Sequence, residues 1–311
     1  MGHHRAVRHA ALVGVTASGK SALALEVARR RPGTELVSVD SMQVYRGMDI
    51  GTAKPTAAEQ AEVRHHLIDL VDPDEEYTVA RFQQDLAEVL ADVDARGARA
   101  LLVGGTGLYL RAAVDALEIP GRYPAIRAEL EGEPDTAALH RRLDRLDPVA
   151  AARMEPSNRR RIVRALEVTV GAGRPFSSFG PGLDQHPPSS FRLLGVRLPR
   201  PVVDRRIEAR YQAQLAAGFV AEVAALAARP GGLSRTARQA LGYRELLAHV
   251  EDGAPLDECM ATAVVRTRRF ARRQDRWFRR DPRITWFEPA PEVGDDPALV
   301  VDDLLAELDR T

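Results

Sequence analysis

The chain has 311 residues, with 45% hydrophobic and 28% charged side chains, enough for one large or two modest cores and too apolar for wholesale disorder. No apolar run approaches the 18 residues of a membrane-spanning helix, the start Met1-Gly-His-His-Arg is polar and unlike a secretory signal, and the single cysteine, Cys259, excludes an internal disulfide and any multi-cysteine zinc site. The 44 basic and 44 acidic residues cancel, yet residues 1–120 sum to −4, 121–200 to +5, 201–286 to +6 and the remainder to −7. A basic middle between acidic ends suggests a polyanionic partner met by the centre of the chain, and cysteine usage suggests the cytoplasm.

In chain order, Ala10-Ala-Leu-Val-Gly-Val15 forms a short buried strand that runs into a glycine turn, and the apolar spacing after Lys20 predicts a helix to about Arg31. Further strands are expected at 36–39, 66–71 and 100–103, with a helix from Thr78 to Arg96 and another after Gly104-Gly-Thr-Gly107. Short apolar strands alternating with helices specify an α/β fold, a P-loop parallel sheet core flanked by helices. From 121 to 190 the pattern turns helical (125–131, 136–146, 157–171) and closes in a Gly/Pro/Ser-rich loop, so this stretch is expected to be a small helical, basic insertion domain. A returning strand follows at 191–198, then helices at 201–217, 219–229, 236–250 and 256–281, so residues 1–120 and 191–311 make up the core.

Gly14-Val15-Thr16-Ala17-Ser18-Gly19-Lys20-Ser21 fits G-x-x-x-x-G-K-[ST] in its required place between strand and helix. Loop and helix-start amides point at a bound phosphate, Lys20 adds a mobile positive charge, and the Ser21 hydroxyl suits magnesium. From the chain's own residue frequencies an accidental match has a probability of roughly 0.001. The motif specifies a diphosphate or triphosphate and leaves the compound open. Only Lys20 and Lys54 are lysines; every other basic residue is arginine, which makes a retained lysine informative.

Asp40 stands at the carboxyl end of the second strand, where ligands of such sheets lie, and fits a magnesium-holding acid, a general base or a helix cap. Thr106 has the same kind of position after the fourth strand and alone fits an N-cap equally well. His65 and His66 are adjacent and would point to opposite faces of a strand, which argues against one shared metal. Cys259 fits a buried small side chain. Between Arg266 and Arg280 lie eight arginines, with Arg266, Arg269, Arg273, Arg276 and Arg280 on one helical stripe and Phe270, Gln274 and Trp277 on another face. Such guanidinium groups suit bidentate phosphate contacts.

Several blocks in order give the chain a family resemblance: Gly14 to Ser21, Val39-Asp-Ser-Met-Gln-Val-Tyr-Arg-Gly-Met-Asp-Ile-Gly-Thr-Ala-Lys-Pro55, Leu102-Val-Gly-Gly-Thr-Gly-Leu-Tyr109, Arg164-Ala-Leu-Glu167, Gly242-Tyr-Arg-Glu245 and Thr267-Arg-Arg-Phe-Ala-Arg-Arg-Gln274. From about residue 10 to 287 it resembles the tRNA dimethylallyltransferases, also called isopentenylpyrophosphate:tRNA transferases. The resemblance implies transfer of a dimethylallyl group from dimethylallyl diphosphate to the exocyclic N6 amine of the adenine 3′-adjacent to a tRNA anticodon, with Mg2+. It implies that Thr16 to Ser21 hold the diphosphate, Ser21 near the metal, that Asp40 accepts the amine proton, and that Thr106 meets the reacting groups. It also implies that Asp40, Ser41, Met42, Gln43, Thr106, Arg127 and the stretch Arg160, Arg161, Ile162, Val163, Arg164 meet the tRNA anticodon stem-loop. Val15 stands where proline is usual in the family, and Arg276 where threonine is common. A cytoplasmic monomer without membrane attachment is expected. A small-molecule kinase on the same loop, a prenyltransferase acting on free adenine nucleotides and a non-catalytic RNA-binding module are the rival readings.

Overall fold

The structure, a computed structural model, describes residues 9–115, 117–180, 182–183, 185–288 and 298–310. The polar start before residue 9, two positions of the Pro-rich loop (181 and 184) and the acidic stretch 289–297 lie outside the described residues. The chain divides into two compact units, one of residues up to Val114 together with those from Pro188 onward, the other Asp115–Pro187.

In the first unit six strands, β1 (His9–Gly14), β2 (Thr34–Ser38), β3 (His65–His66), β4 (Arg99–Gly104), β5 (Phe191–Val196) and β6 (Thr285–Phe287), form one parallel sheet in the order β3-β2-β4-β1-β5-β6. Residue Leu12 of β1 pairs with Val103 on one side and Leu194 on the other. Successive strand residues go to opposite faces: Ala11, Val13, Val37, Leu102 and Leu193 enter one core, while Ala10, Leu12, Leu36, Leu101 and Leu194 enter the other. Both faces are covered, so these strands are almost wholly apolar. Burying a side chain such as Leu12 contributes about 2 kcal/mol. The chain leaves β1 toward β2 but leaves β4 toward β5 on the other side of β1, and this reversal opens a crevice beyond the strands' carboxyl ends.

The flanking helices are α1 (Lys20–Arg30), α2 (Ala57–Glu62), α3 (Val79–Ala95) and α4 (Gly107–Val114) before the second unit, and α9 (Arg200–Ala216), α10 (Phe219–Ala227), α11 (Tyr243–Asp252), α12 (Leu256–Phe278) and α13 (Ala298–Asp309) after it. The second unit consists of α5 (Pro124–Gly132), α6 (Thr136–Leu146), α7 (Pro148–Ala152) and α8 (Arg159–Ala172) around its own core of Leu130, Leu139, Leu143, Ile162, Val163 and Leu166. Helix α12 buries Cys259, Met260, Ala263, Thr267, Ala271, Gln274 and Phe278, a three-and-four spacing that turns its arginine-rich side away from the core.

Three expectations need correction. The third strand stops at His66, because Leu67 (φ 60°) and Asp69 (φ 53°) adopt left-handed backbone that a strand cannot continue; only an isolated bridge between Tyr45 and Val71 follows. The helix expected over 236–250 is a short 3-10 turn (Ala237–Gln239) and then α11, separated at Gly242 (φ 85°). Strand β6, α2, α7 and α13 are not among the expected elements; Trp286 and Phe287 carry the apolar signal for β6, and three residues are too few for periodicity to register.

Charge also falls differently from expectation. Asp115–Pro187 holds eleven arginines and eleven acidic residues, and the excess lies between residues 188 and 286, with nineteen arginines against ten acids. The helical unit therefore has no net positive charge.

Candidate functional site

The strand β1 ends in the phosphate loop because Gly14 leaves room for it: a Cβ there would stand 2.7 Å from Ser18 Oγ and 2.9 Å from the Val196 carbonyl. Gly19 (φ 88°) turns the chain into α1, and Ala17 holds φ 60°, a left-handed conformation costing about 1–2 kcal/mol for a residue with a Cβ. The eight residues do not contribute alike. The Ser18 N–H donates to Val15 O (3.2 Å), and the Ser18 side chain is buried with no hydrogen-bond partner among the described residues. The Thr16 N–H donates to Gln274 Oε1 at 2.9 Å. What remains for an anion is the open first turn of α1, whose amides have no partner inside the helix, together with Lys20. The Lys20 ammonium donates to Val15 O (3.2 Å); burial pulls its pKa down to about 8, opposed by the Asp40 carboxylate and reinforced by Arg210.

Asp40 follows β2. Its Oδ1 accepts the Met42 N–H at 2.8 Å, which fixes the carboxylate, and its second oxygen has no hydrogen-bond partner among the described residues. After β4, the Gly104-Gly-Thr-Gly107 turn is packed too closely for side chains. A Cβ at Gly105 would meet Gln274 Nε2 at 2.3 Å, and one at Gly107 would meet Trp277 at 2.3 Å. That turn delivers Thr106, whose Oγ1 accepts the Ser41 N–H at 3.4 Å.

A cavity of about 530 Å³ joins these pieces: Thr16, Lys20, Ser21, Asp40, Ser41, Met42, Gln43 and Thr106 all line it. Gly14, Val15, Ala17, Ser18 and Gly19 shape the loop without lining the cavity. Arg127 and Arg160–Arg164 belong to the helical unit. There Ile162 and Val163 are 0% and 2% exposed, so their side chains offer no surface to RNA, which corrects the expectation for those two. Arg127 and Arg164 pair with Glu167, itself 1% exposed, at 3.3 and 2.9 Å, while Arg160 and Arg161 are exposed.

The sequence reading missed several lining residues. Arg210 donates to Thr16 Oγ1 and to Gly51 O, both at 3.2 Å, from a half-buried position where desolvation lowers its pKa; a guanidinium stays charged even so. Gln274 bridges the two glycine turns, accepting from Thr16 N–H and donating to Gly105 O at 2.8 Å. Arg273, Tyr211, Tyr243 and Lys54 line the cavity as well. Of these the sequence marks Gln274 and Arg273 only as residues of the arginine helix and Lys54 only as one of two lysines, none of them as part of this cavity. The histidine pair goes elsewhere: His66 Nε2 lies 2.6 Å from Glu35 and His65 Nδ1 lies 2.7 Å from Val63 O.

Among the described residues no group of three or more His, Cys, Asp or Glu could hold a metal ion. The Ser21 hydroxyl at the start of α1 and the Asp40 carboxylate are hard oxygen donors on one cavity. That set suits a small hard cation bound mainly through substrate phosphates and water.

Fold and cavity together define a P-loop α/β protein with an acid and a hydroxyl gathered at the carboxyl ends of the strands beside its phosphate loop. Residues 43–281 match the family model of the IPP transferases. The chain is 50% identical over 296 residues to a tRNA dimethylallyltransferase of Kineococcus radiotolerans, covering 92% of each, and 47% identical over 293 residues to one of Nocardioides sp., covering 93% of this chain and 92% of that one. The solved full-length tRNA isopentenylpyrophosphate transferase of Bacillus halodurans is similar with a TM-score of 0.68 at 34% identity, covering 97% of both chains. The chain belongs to the IPP transferase family.

Proposed function

We propose that the protein transfers the dimethylallyl group of dimethylallyl diphosphate to the N6 amine of the adenine 3′-adjacent to the anticodon in tRNA. The observation that carries this reading is one cavity lined by Lys20, Asp40 and Thr106, from three different strand ends, in a chain whose relatives bear that activity's name.

The chemistry asks for two things. The adenine amine is a weak nucleophile, because its lone pair is delocalised into the ring, so the allylic carbon must be made a good acceptor. The amine nitrogen forms the new C–N bond, the C–O bond to the diphosphate breaks with its electron pair on oxygen, and the amine proton goes to the Asp40 carboxylate. Lys20, the α1 first turn and Arg210 hold the charge that builds on the departing diphosphate, preorganised by burial. Mg2+, held by Ser21 and the diphosphate itself, would neutralise part of that same charge when bound. Thr106 presents its hydroxyl to the reacting groups. No phosphoanhydride has to be cleaved; the loop holds a leaving group.

For the tRNA, the exposed arginines of α12 and the exposed Arg160 and Arg161 at the start of α8 supply phosphate contacts, and the helical unit meets the anticodon stem. Among the described residues no helix is long and apolar enough to cross a membrane.

The test is to incubate the protein with magnesium, labelled dimethylallyl diphosphate and unmodified tRNA, digest the RNA and identify the labelled nucleoside. N6-dimethylallyladenosine from the anticodon loop supports the reading. Label appearing only on added AMP, or phosphate transfer from ATP, would overturn it.

A further inference from the structure

We propose that Lys54 is a positioning residue, whose buried ammonium holds the loop from Asp40 to Pro55 in the shape the transfer needs. The inference rests on the transferase reading above and deepens it. Arginine fills 42 of the 44 basic positions, and the two lysines are Lys20 in the phosphate loop and Lys54. The Lys54 side chain is 3% exposed, and its Nζ donates to Tyr45 O at 2.8 Å, Asp49 Oδ1 at 2.6 Å and Asp69 Oδ1 at 2.5 Å.

Those three acceptors use all three protons of an ammonium, which diverge from one point. A planar guanidinium on a longer stem cannot deliver donors to three oxygens gathered around one nitrogen. That is a physical reason for lysine at this place in an otherwise arginine-using chain. The acceptors come from separate parts of the fold: the middle of the loop (Tyr45, Asp49) and the segment after β3 (Asp69).

The clamp reaches the reacting end through Gln43. The Gln43 amide donates to Thr52 O (3.3 Å) and Ala53 O (3.2 Å), next to Lys54, and its oxygen accepts from Ser38 Oγ at 2.7 Å. The Asp69 N–H donates to the Gln43 carbonyl at 3.1 Å. Gln43 stands three residues after Asp40, and both line the reaction cavity. Ala53 (φ 48°) and Asp69 (φ 53°) hold left-handed backbone on either side of the ammonium, a conformation that persists where the surroundings over-determine it. Lys54 acts through Asp40–Gln43 and leaves the phosphate loop alone.

Lys54→Met and Lys54→Arg in the full chain test this, at a temperature where circular dichroism finds both folded. Turnover is expected to fall 30-fold or more and the KM for tRNA to rise, with the KM for dimethylallyl diphosphate within twofold of the parent. Asp69→Asn should lose 3- to 10-fold in the same direction. Hydrogen exchange at Ser41–Val44 should speed up at least tenfold in Lys54→Met, with α1 unchanged. Wild-type turnover in Lys54→Arg, an equal rise in both KM values, or unchanged exchange at Ser41–Val44 would each overturn the inference. A parent protein that transfers nothing to tRNA would instead sink the transferase reading, and the exchange result would still decide the clamp.

Discussion

The exposed arginine stripe at the end of α12 and the arginines gathered around Glu167 in the helical unit have opposite surroundings. The side chains of Arg269, Arg272 and Arg276 on α12, and of Arg280 just beyond its end, have no ion-pair or hydrogen-bond partner among the described residues, and Arg273 only lies 5.6 Å from the Phe270 ring, while Arg266 and Arg268 pair with Glu245 and Glu208. In the helical unit Arg127 and Arg164 converge on the buried Glu167, Arg164 also donates to Pro120 O (2.9 Å) and Gly121 O (3.1 Å), Arg159 donates to three backbone carbonyls, and Arg174 pairs with Glu118. One set is available to a polyanion; the other largely holds its own helices together. Counting charge along a sequence does not distinguish the two, because the distinction lies in whether a carboxylate of the same unit is within reach.

The contrast can be broken or sharpened by experiment. The largest effect should come from neither set. Lys20→Ala, in the cavity of the first unit, should lower turnover by roughly 10²-fold or more with tRNA affinity within about threefold, measured by single-turnover kinetics and filter binding. Removing Arg269, Arg272 and Arg276 together should weaken tRNA binding by roughly 10- to 100-fold and flatten its dependence on salt, since each lost phosphate contact removes about 0.7–0.9 from the log–log slope. An unchanged salt slope would remove α12 from the RNA interface.

The pH dependence follows from Lys20, charged in the folded protein below its pKa of about 8 and neutral above it. The charged form favours the diphosphate, so the KM for dimethylallyl diphosphate should rise by about tenfold between pH 7 and pH 9. Arg164→Ala should act on stability. It strips the buried Glu167 carboxylate of the nearer of its two arginines, at 2.9 Å, leaving Arg127 and the Tyr123 N–H, and should cost about 1–3 kcal/mol while tRNA affinity changes less than about threefold. The smallest expected effect is a two- to threefold loss of tRNA affinity in Arg160→Ala or Arg161→Ala, whose side chains are exposed.

Much of the cavity was legible in the residues. The phosphate loop, Asp40 and Thr106 each follow a strand, and a parallel sheet brings strand ends to one edge, so local spacing suffices to find them. Arg210 and Gln274 were not legible as site residues, since they reach Thr16 from 194 and 258 residues away and nothing in their own neighbourhoods marks that contact. The end of β3 was misjudged because Leu67-Ile-Asp-Leu has strand-like composition, while the Lys54–Asp69 pair and the Asp69 N–H bond to Gln43 select left-handed backbone there. Ile162 and Val163 sit beside exposed arginines in sequence but on the buried side of α8, a distinction helical periodicity carries and a contiguous motif does not.

The central claim is that Asp40 takes the proton of the adenine amine in a complex assembled by other groups. Single-turnover transfer by Asp40→Asn, with tRNA and dimethylallyl diphosphate both saturating, addresses it directly. The rate from the bound complex should fall by roughly 10²-fold or more while both dissociation constants stay within a few-fold of the parent. A bound complex that reacts at the parental rate, with the loss confined to tRNA binding, would contradict it.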